Sequence, residues 1–403
     1  MKRQIERLVR LRERYLEKRS VFSLAASLGR LSARWLDKNY SFRKKAVQRL
    51  VVKSHFTEGM AHELLNALFQ ELTAHKLFKL LKSELKDPRV LDAFRRDPLT
   101  GHRQRARGPR VITHIFSSNV PNPAIVSFIL GMLVKSVNVG KVSTADGGFL
   151  DIYLESLRCH DKKLAKTNYV LDANRVLKNL QSANAGARYA VPLRECIRYS
   201  DLVVAYGREE SLEKIRRQVP ISVAFVGYGP RISFSVYTKE ALNKKNLKTN
   251  AEKTAYDIWM MDRRGCLSPA KIFIEAGGQV SLAEFSDALN HSMEKRFGVK
   301  TWRLPIQNGV THVLGFGGRT LIETQLINTV EDISKALKPF QKYLQTVSLE
   351  ANGKRRQRIA NHLSRMGVNR ICRAGQMQRP LITWHHDGKF NLASWVYWTD
   401  MVE

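Results

Sequence analysis

Short β-branched runs alternate with helical patterns between residues 111 and 226, and this alternation constrains the fold more than any other feature of the sequence. It is typical of βαβ units, in which crossover helices join neighbouring parallel strands. We therefore predict an α/β fold with a parallel sheet in this region. The strand-like runs are VITHIF, VNVGKV, NYVLDA, DLVVAY and ISVAFV.

Three polar segments follow strands of this predicted sheet: SSNVPNP, GKVSTADGG and YGREE. Open parallel sheets bind ligands beyond the carboxyl ends of their strands, so we expect these segments on the functional edge. Asn122 followed by Pro123 predicts a helix that begins there, with the asparagine as its N-cap.

The chain of 403 residues is longer than a single hydrophobic core usually supports. We predict a helical region over residues 1–110, the parallel-sheet domain over 111–226, a second α/β domain over 227–365 and a C-terminal segment over 366–403. Apolar residues at helical spacing run from His55 to Leu85. A polar, arginine-containing stretch from Asp97 to Arg110 is predicted to be a loop.

The chain is strongly basic, with a formal charge of +32 and a pI near 10.2. The first 50 residues carry 15 basic and 4 acidic side chains, and Ile5, Leu8 and Leu16 lie at helical spacing among them. This pattern predicts a basic amphipathic helix. Two interpretations stay open: a helix that packs by its apolar side, or a site for an anion, a partner or a membrane surface.

Several classes of protein are disfavoured. No apolar stretch reaches the length of a spanning helix, and the N-terminus lacks the apolar core of a signal peptide. The four cysteines show neither a disulfide framework nor metal-ligand spacing. We expect a cytoplasmic protein that has no metal site and does not span a membrane.

Cys266 lies between a glycine and the strand-like run KIFIE, a position from which a loop can present a thiol. By itself such a cysteine is more often buried filler than a nucleophile. The wider pattern resembles the LuxC-type acyl-CoA reductases, a branch of the aldehyde dehydrogenase superfamily, from about Leu31 to the C-terminus. The segments that carry the resemblance are SSNVPNPA, NVGKVST, DLVVAYG, FVGYGPRISF, YDIWMMDRRGCLSP and RAGQMQRPLITWHHDG.

This resemblance implies an aldehyde dehydrogenase-like fold with a Rossmann-type cofactor lobe and an α/β catalytic lobe. It implies NADPH-dependent reduction of a fatty-acyl thioester, either acyl-CoA or a carrier-bound acyl group, to the aldehyde through an acyl-cysteine. It also implies a homo-oligomer, and an acyl-protein ligase or an acyl carrier protein as a partner.

Site residues carry over from the resemblance one by one. Cys266 matches the nucleophile, and Asn119 matches the asparagine that helps to hold the oxyanion. Lys141 matches the lysine that reaches the adenosine ribose, and Gly207 matches the glycine beneath the pyrophosphate. Thr144 stands where NAD-preferring relatives often have glutamate, which favours NADPH because no carboxylate repels a 2′-phosphate.

The sequence also departs from the family pattern. Arg263 and Arg264 precede the Gly-Cys pair where relatives have uncharged residues. Three interpretations stay open: they lower the pKa of Cys266, they hold an anionic carrier, or they signal an altered function. The stretch from Phe225 to Gly229 lacks the glutamate with which oxidising relatives activate water, as suits a reductase. His385 and His386 are predicted either to form a structural turn or to shuttle a proton.

Two other functions remain open at this stage. The charge fits a nucleic-acid-binding protein that keeps a dehydrogenase-like fold without its activity, although no recognisable nucleic-acid module or aromatic stacking platform is present. A transferase that passes its acyl group on without reduction is the third interpretation. Consumption of NADPH with and without acyl-CoA distinguishes the three.

Overall fold

The computed structural model describes residues 1–116, 120, 122–143, 148–171, 193–315 and 320–402. The chain forms two compact units. The first comprises Met1–Gly229, Leu381–Thr383 and Lys389–Glu403, and the second comprises Pro230–Pro380 and Trp384–Gly388. The C-terminal segment is thus divided between the units.

The first unit begins with helices, as the apolar periodicity predicts. Ser20 and Thr57 are the N-caps of the second and fourth helix, where their hydroxyls accept hydrogen bonds from backbone N–H groups. Trp35 is fully buried, stacks on Phe69 with centroids 4.7 Å apart and donates to the hydroxyl of Ser156 over 3.0 Å. The helices are α1 (Lys2–Arg12), α2 (Val21–Leu36), α3 (Ser41–Ser54), α4 (Glu58–Gln70) and α5 (Ala74–Leu85).

The polar stretch from Asp97 to Arg110, predicted to be a loop, contains the strand β2 (Arg103–Arg107), and the strand β1 (Arg95–Arg96) lies just before it. In β2 only Ala106 is buried, while its three arginines are exposed. The loop prediction is wrong for β2, which pairs with two residues of β1 nearby and with a strand almost 300 residues away, for which local patterning gives no signal.

A five-stranded parallel sheet forms the core of the first unit and confirms the predicted α/β architecture. Its order is β5-β4-β3-β6-β7, so successive strands are added on one side of β3 and then on the other, as in Rossmann-type sheets. The apolar residues Ile5 and Leu8 of α1 pack into a cluster with Val111, Val137 and Val139. The elements are β3 (Val111–Ile115), α6 (Asn122–Leu133), β4 (Val137–Lys141), α7 (Phe149–His160), α8 (Lys162–Ala165), β5 (Asn168–Val170), β6 (Leu202–Tyr206), α9 (Glu209–Arg216) and β7 (Ala224–Tyr228).

The start of α6 differs from the prediction in one respect. The helix begins at Asn122, but the Oδ1 atom of that side chain is buried without a hydrogen-bond partner. Asn122 is therefore not an N-cap within the described structure, because a capping oxygen accepts a backbone N–H.

The second unit is built on a seven-stranded mixed sheet of order β10-β11-β12-β9-β8-β13-β14. Strands β12, β9, β8, β13 and β14 are parallel, and β10 and β11 are antiparallel additions at one edge. The elements are β8 (Ile232–Tyr237), α10 (Leu247–Trp259), β9 (Pro269–Glu275), α11 (Leu282–Phe297), β10 (Thr301–Arg303), β11 (Val310–Gly315), β12 (Thr320–Ile327), α12 (Glu331–Leu337), β13 (Leu344–Glu350), α13 (Gly353–Arg365) and β14 (Arg370–Cys372).

The chain ends in β15 (Tyr397–Met401), which returns to the first unit and pairs antiparallel with β2. The carboxylate of Glu84 fixes this return, since it accepts the backbone N–H groups of Asn391, Leu392 and Ala393 over 2.5 to 3.0 Å. Among the described residues, no helix is both long and apolar enough to cross a membrane.

Candidate active site

Three consecutive residues in the left-handed conformation precede Gly265 and Cys266. Met261, Asp262 and Arg263 have φ values of 59°, 49° and 57°. The left-handed region costs roughly 1–2 kcal/mol for each residue that carries a Cβ. Backbone strain of this kind persists only where surrounding contacts hold it, and it is concentrated at functional sites.

Cys266 lies three residues before β9 and is exposed to solvent. The hydroxyl of Ser233, at the start of β8, donates to the carbonyl oxygen of Cys266 over 2.7 Å and accepts the backbone N–H of Thr346 over 3.2 Å. The thiol loop is thereby tied to the amino ends of two neighbouring strands. In this second sheet the thiol lies at the amino edge, opposite to the edge where parallel sheets usually bind ligands.

A buried carboxylate lies at the same edge. Asp387 accepts hydrogen bonds from Nε and Nη2 of Arg231, over 2.9 and 2.5 Å, and from Nε2 of Gln345 over 2.9 Å. Its side chain is 2% exposed, so the charge of Asp387 is compensated within the protein. Asp387 itself has a φ of 54° inside the short turn His386–Gly388. This geometry agrees with the interpretation that His385 and His386 belong to a structural turn.

The pKa of Cys266 is raised to about 11. The largest cause is burial: although the side chain has accessible surface, the surrounding protein weakens hydration of a thiolate. The charge of Asp387 raises the pKa further, while a hydrogen bond from Gln345 and the charge of Arg231 lower it. At neutral pH the resting sulfur is a thiol, so a nucleophilic role requires removal of its proton.

Arg231 is one cation whose charge lowers the pKa of Cys266. The roles expected for Arg263 and Arg264 stay predictions. The guanidinium of Arg264 pairs with Asp262 at 3.2 Å within the strained loop.

A second buried carboxylate holds the segment that packs on the thiol loop. Asp257, on α10, accepts the backbone N–H groups of Gly375 and Met377 over 2.6 and 3.0 Å. The side-chain Nε2 of Gln378 donates to the carbonyl oxygen of Asp257 over 3.0 Å and to the hydroxyl of Ser268 over 2.8 Å. The loop that carries Cys266 is thus linked to α10 through a chain of hydrogen bonds.

The remaining predicted site residues belong to the first unit. Lys141 ends β4 and Gly207 follows β6, so both lie at the carboxyl edge of the parallel sheet, as expected. A Cβ on Gly207 would meet no protein atom nearer than 3.6 Å, so internal packing does not require glycine there. Asn119 and Thr144 lie outside the described residues.

A buried histidine fixes the elements around this edge. His114, on β3, contacts the hydroxyl of Ser127 on α6 at 2.8 Å and Oδ1 of Asn138 on β4 at 2.9 Å. Burial lowers the pKa of His114 to about 3, so the ring stays neutral. This neutral ring joins the strand that precedes the Asn119 segment to the strand that ends in Lys141.

Comparison with known proteins agrees with the motifs. The family described as "Acyl-CoA reductase (LuxC)" matches residues 17–307 and 298–398. The chain belongs to the LuxC acyl-CoA reductase family.

Two relatives of this LuxC-family chain are named long-chain acyl-protein thioester reductase. The protein from Photorhabdus luminescens is 24% identical over 60% of this chain, and the one from Aliivibrio fischeri is 23% identical over 85%. The matched regions cover 47% and 74% of those two proteins. The chain thus spans about half the length of the first relative.

Solved structures confirm the fold. An aldehyde dehydrogenase from Physcomitrella patens, in complex with the reaction product succinate, aligns with a TM-score of 0.69, 8% identity and 99% and 89% coverage of the two chains. The NADP-dependent glyceraldehyde-3-phosphate dehydrogenase from Bacillus halodurans, complexed with NADP, aligns with a TM-score of 0.67, 11% identity and 99% and 90% coverage. The LuxC-family chain has an aldehyde dehydrogenase-like fold.

Sequence reasoning missed Arg231, Gln345, Asp257 and Gln378 as parts of this LuxC-family site. Gln345 is fully buried in β13, where Thr346 and Ser348 are buried polar residues as well, so the residue pattern of this strand does not single it out, although a buried amide needs a partner. Among the described residues, no group of three or more potential ligands is arranged to hold a metal ion.

Replacing Asp387 by asparagine tests the electrostatics of the thiol. Asp387→Asn removes a negative charge that raises the pKa of Cys266 and leaves Arg231 nearby, so the pKa of the thiol falls. We expect iodoacetamide to alkylate Cys266 about tenfold faster at pH 8, corresponding to a decrease of about one pKa unit. Asp262→Asn removes a carboxylate from the thiol loop itself and serves as the control. Equal rates in wild type and Asp387→Asn, both folded, would show that this charge does not act on the thiol.

The pH dependence of unfolding tests Asp257, whose pKa is raised to about 7 by burial, against the opposing effect of its backbone hydrogen bonds and of Arg370. A raised acid pKa means that the folded state holds an extra proton above the unfolded pKa of about 3.9. The proton on Asp257 therefore stabilises the folded state fully below about pH 3.9, and this stabilisation is lost as the pH rises through about 7. Asp257→Asn cannot ionise. Between pH 5 and pH 8 its free energy of unfolding, measured with urea, should therefore rise by about 2 to 3 kcal/mol relative to that of the wild type. A constant difference across this range would contradict the assignment.

Proposed function

We propose that this chain reduces a fatty-acyl thioester to the aldehyde, with NADPH as reductant and Cys266 as the residue that carries the acyl group. Membership of the LuxC family supports the reaction type. The observation that supports Cys266 is its position: a residue with accessible surface on a strained loop, hydrogen-bonded through its carbonyl group to Ser233 and flanked by Gln345 and Arg231.

The thiol contributes covalent catalysis. Its sulfur attacks the thioester carbonyl, the carbon–sulfur bond to CoA or to the carrier thiol breaks, and the departing thiol takes up a proton. Arg231 and Gln345 favour the Cys266 thiolate, while Asp387 keeps Arg231 oriented and limits its effect. The backbone N–H of Cys266 and the side-chain amide of Asn119 are the proposed donors to the oxyanion.

The residues described at the carboxyl edge of the first sheet fit a nicotinamide dinucleotide. The side chain of Lys141 makes no ion pair with any described residue, and the protein leaves room beside Gly207. Glu209 and Glu210 in the first turn of α9 oppose an anion at that helix N-terminus. The proposed contact of the pyrophosphate is therefore the backbone of the Gly207 turn, and the proposed contact of Lys141 is the adenosine ribose.

When bound, NADPH would supply the hydride that reduces the acyl group carried by Cys266. The chain's part is to hold the acyl group on sulfur and to release the aldehyde when the carbon–sulfur bond breaks. Cys266 then regains its proton, which its raised pKa favours. The preference for NADPH over NADH rests on Thr144.

The names of the relatives and of the family differ in the carrier of the acyl group, a protein in one case and CoA in the other. We propose a thioester substrate of either kind, an acyl-protein ligase or acyl carrier protein as the natural donor, and assembly as a homo-oligomer. Reduction of the two donors at matched concentrations decides between them.

Substitution of the nucleophile is the most direct test. Cys266→Ala should abolish NADPH consumption with an acyl thioester and should prevent radiolabelled acyl-CoA from labelling the chain, while NADPH binding is retained. Cys159→Ala removes the other exposed cysteine and should leave both signals unchanged. Undiminished labelling of Cys266→Ala would overturn the assignment of the nucleophile.

The oxyanion role of Asn119 has its own test. Asn119→Ala should slow acylation of Cys266 by roughly 100-fold, as expected for the loss of one oxyanion donor, with little change in unfolding. Asn122→Ala, three residues further on, is the matched control. If Asn119→Ala slowed acylation by less than about threefold, far less than the loss of one oxyanion donor predicts, Asn119 would have no oxyanion role.

A further inference from the structure

The amino edge of the parallel sheet in the first unit carries a basic pocket, remote from Lys141 and Gly207 at the carboxyl edge. The pocket has a volume of about 210 Å³ and lies where α1, the end of α7, α8 and the start of β5 meet. Its lining residues are Gln4, Arg7, Leu8, Leu11, Arg158, Lys162, Ala165, Lys166 and Asn168.

Four of the lining side chains are cations, and none is acidic. Within the described part of the chain, Arg7, Arg158, Lys162 and Lys166 have no ion-pair partner. Some other cations of this unit are paired, as Arg19 is with Asp161 and Lys135 with Asp92. The pocket therefore concentrates uncompensated positive charge in one concavity.

Between Arg158 and Asn168 the chain has one acidic residue, Asp161, and its carboxylate already has hydrogen-bond donors. Asp161 accepts hydrogen bonds from Arg19 over 2.5 Å, from Ser27 over 2.9 Å and from the backbone N–H of Leu164 over 3.1 Å. It does not neutralise its neighbours. Arg158 lies in the last turn of α7, Lys162 lies in the last turn of α8 and Lys166 is the C-cap of α8, positions where a cation interacts favourably with the helix dipole. This explanation does not extend to Arg7.

The position of helix α1 is compatible with both of the interpretations that the sequence left open for the N-terminal segment. Its buried Leu8 faces the sheet, so the helix does pack by its apolar side. Gln4 and Arg7 form part of the pocket wall together with Leu8 and Leu11. The packed helix thus also supplies one side of a cationic site with an apolar floor.

We propose that this pocket binds the phosphate end of a small phosphate ester or pyrophosphate. Charge-assisted hydrogen bonds from lysine and arginine are strongest to phosphate oxygens, and four cations match its multiple charge. The volume is below the roughly 300 to 1,000 Å³ of pockets that enclose a drug-sized ligand. The pocket accommodates a phosphorylated end group with a small organic part, and a complete dinucleotide is too large for it.

Isothermal titration calorimetry with pyrophosphate and with adenosine monophosphate, at about 150 mM salt where diffuse attraction is screened, tests the proposal. We expect binding to the wild-type chain with a dissociation constant below about 1 mM. The variant Arg158→Gln/Lys162→Gln/Lys166→Gln should bind at least about tenfold more weakly, because it loses three charge-assisted donors. All three side chains are exposed, so the variant is expected to fold, and its urea unfolding midpoint checks this.

The matched control removes three exposed cations from α3: Lys44→Gln/Arg49→Gln/Lys53→Gln. Its affinity should change less than about twofold, since it alters only the diffuse field. Pyrophosphate at saturation should also slow acetylation of Lys162 and Lys166, followed by mass spectrometry, while Lys44 and Lys53 react as before. Equal weakening in both variants, absence of binding at about 1 mM, or binding of single-stranded DNA but of neither small phosphate would overturn the proposal.

Discussion

The strained turn before Cys266 can form only if the rest of the second unit holds it in place. Met261, Asp262 and Arg263 all adopt a conformation that costs free energy, and a chain free to relax would not keep it. Asp257 and Gln378 hold one side of the loop, and Ser233 holds the other. These contacts come from α10, from the segment after β14 and from β8, so the thiol is presented only when the whole sheet is assembled.

The two sheets place their candidate chemistry at opposite edges. In the first unit Lys141 and Gly207 follow strands, so the rule for open parallel sheets applies. In the second unit Cys266 precedes β9, Arg231 precedes β8 and Gln345 lies near the start of β13. Local sequence identifies the first arrangement because strand and loop are contiguous. The second arrangement joins residues as far apart in the chain as Arg231 and Asp387, which are separated by 156 positions, and local sequence does not show that they meet.

The sequence predicts much of the fold and a smaller part of the site. The alternating runs are sufficient for the parallel sheet, and the resemblance points to Cys266 before any geometry is known. Strand β2 escaped prediction because its arginines look like loop residues until β15 pairs with them. Arg231, whose charge lowers the pKa of Cys266, lies 35 positions before it in the chain, and local sequence does not identify it. Charge effects depend on distance and burial, neither of which a sequence displays.

The raised pKa of Cys266 has a consequence for the lifetime of the protein. Peroxides and electrophiles attack the thiolate form of cysteine, and sulfinic or sulfonic acids formed from it are in general not repaired. With a pKa near 11, only about one resting molecule in ten thousand carries a thiolate at pH 7. The burial and the Asp387 charge that keep Cys266 protonated thus also protect its sulfur from oxidation.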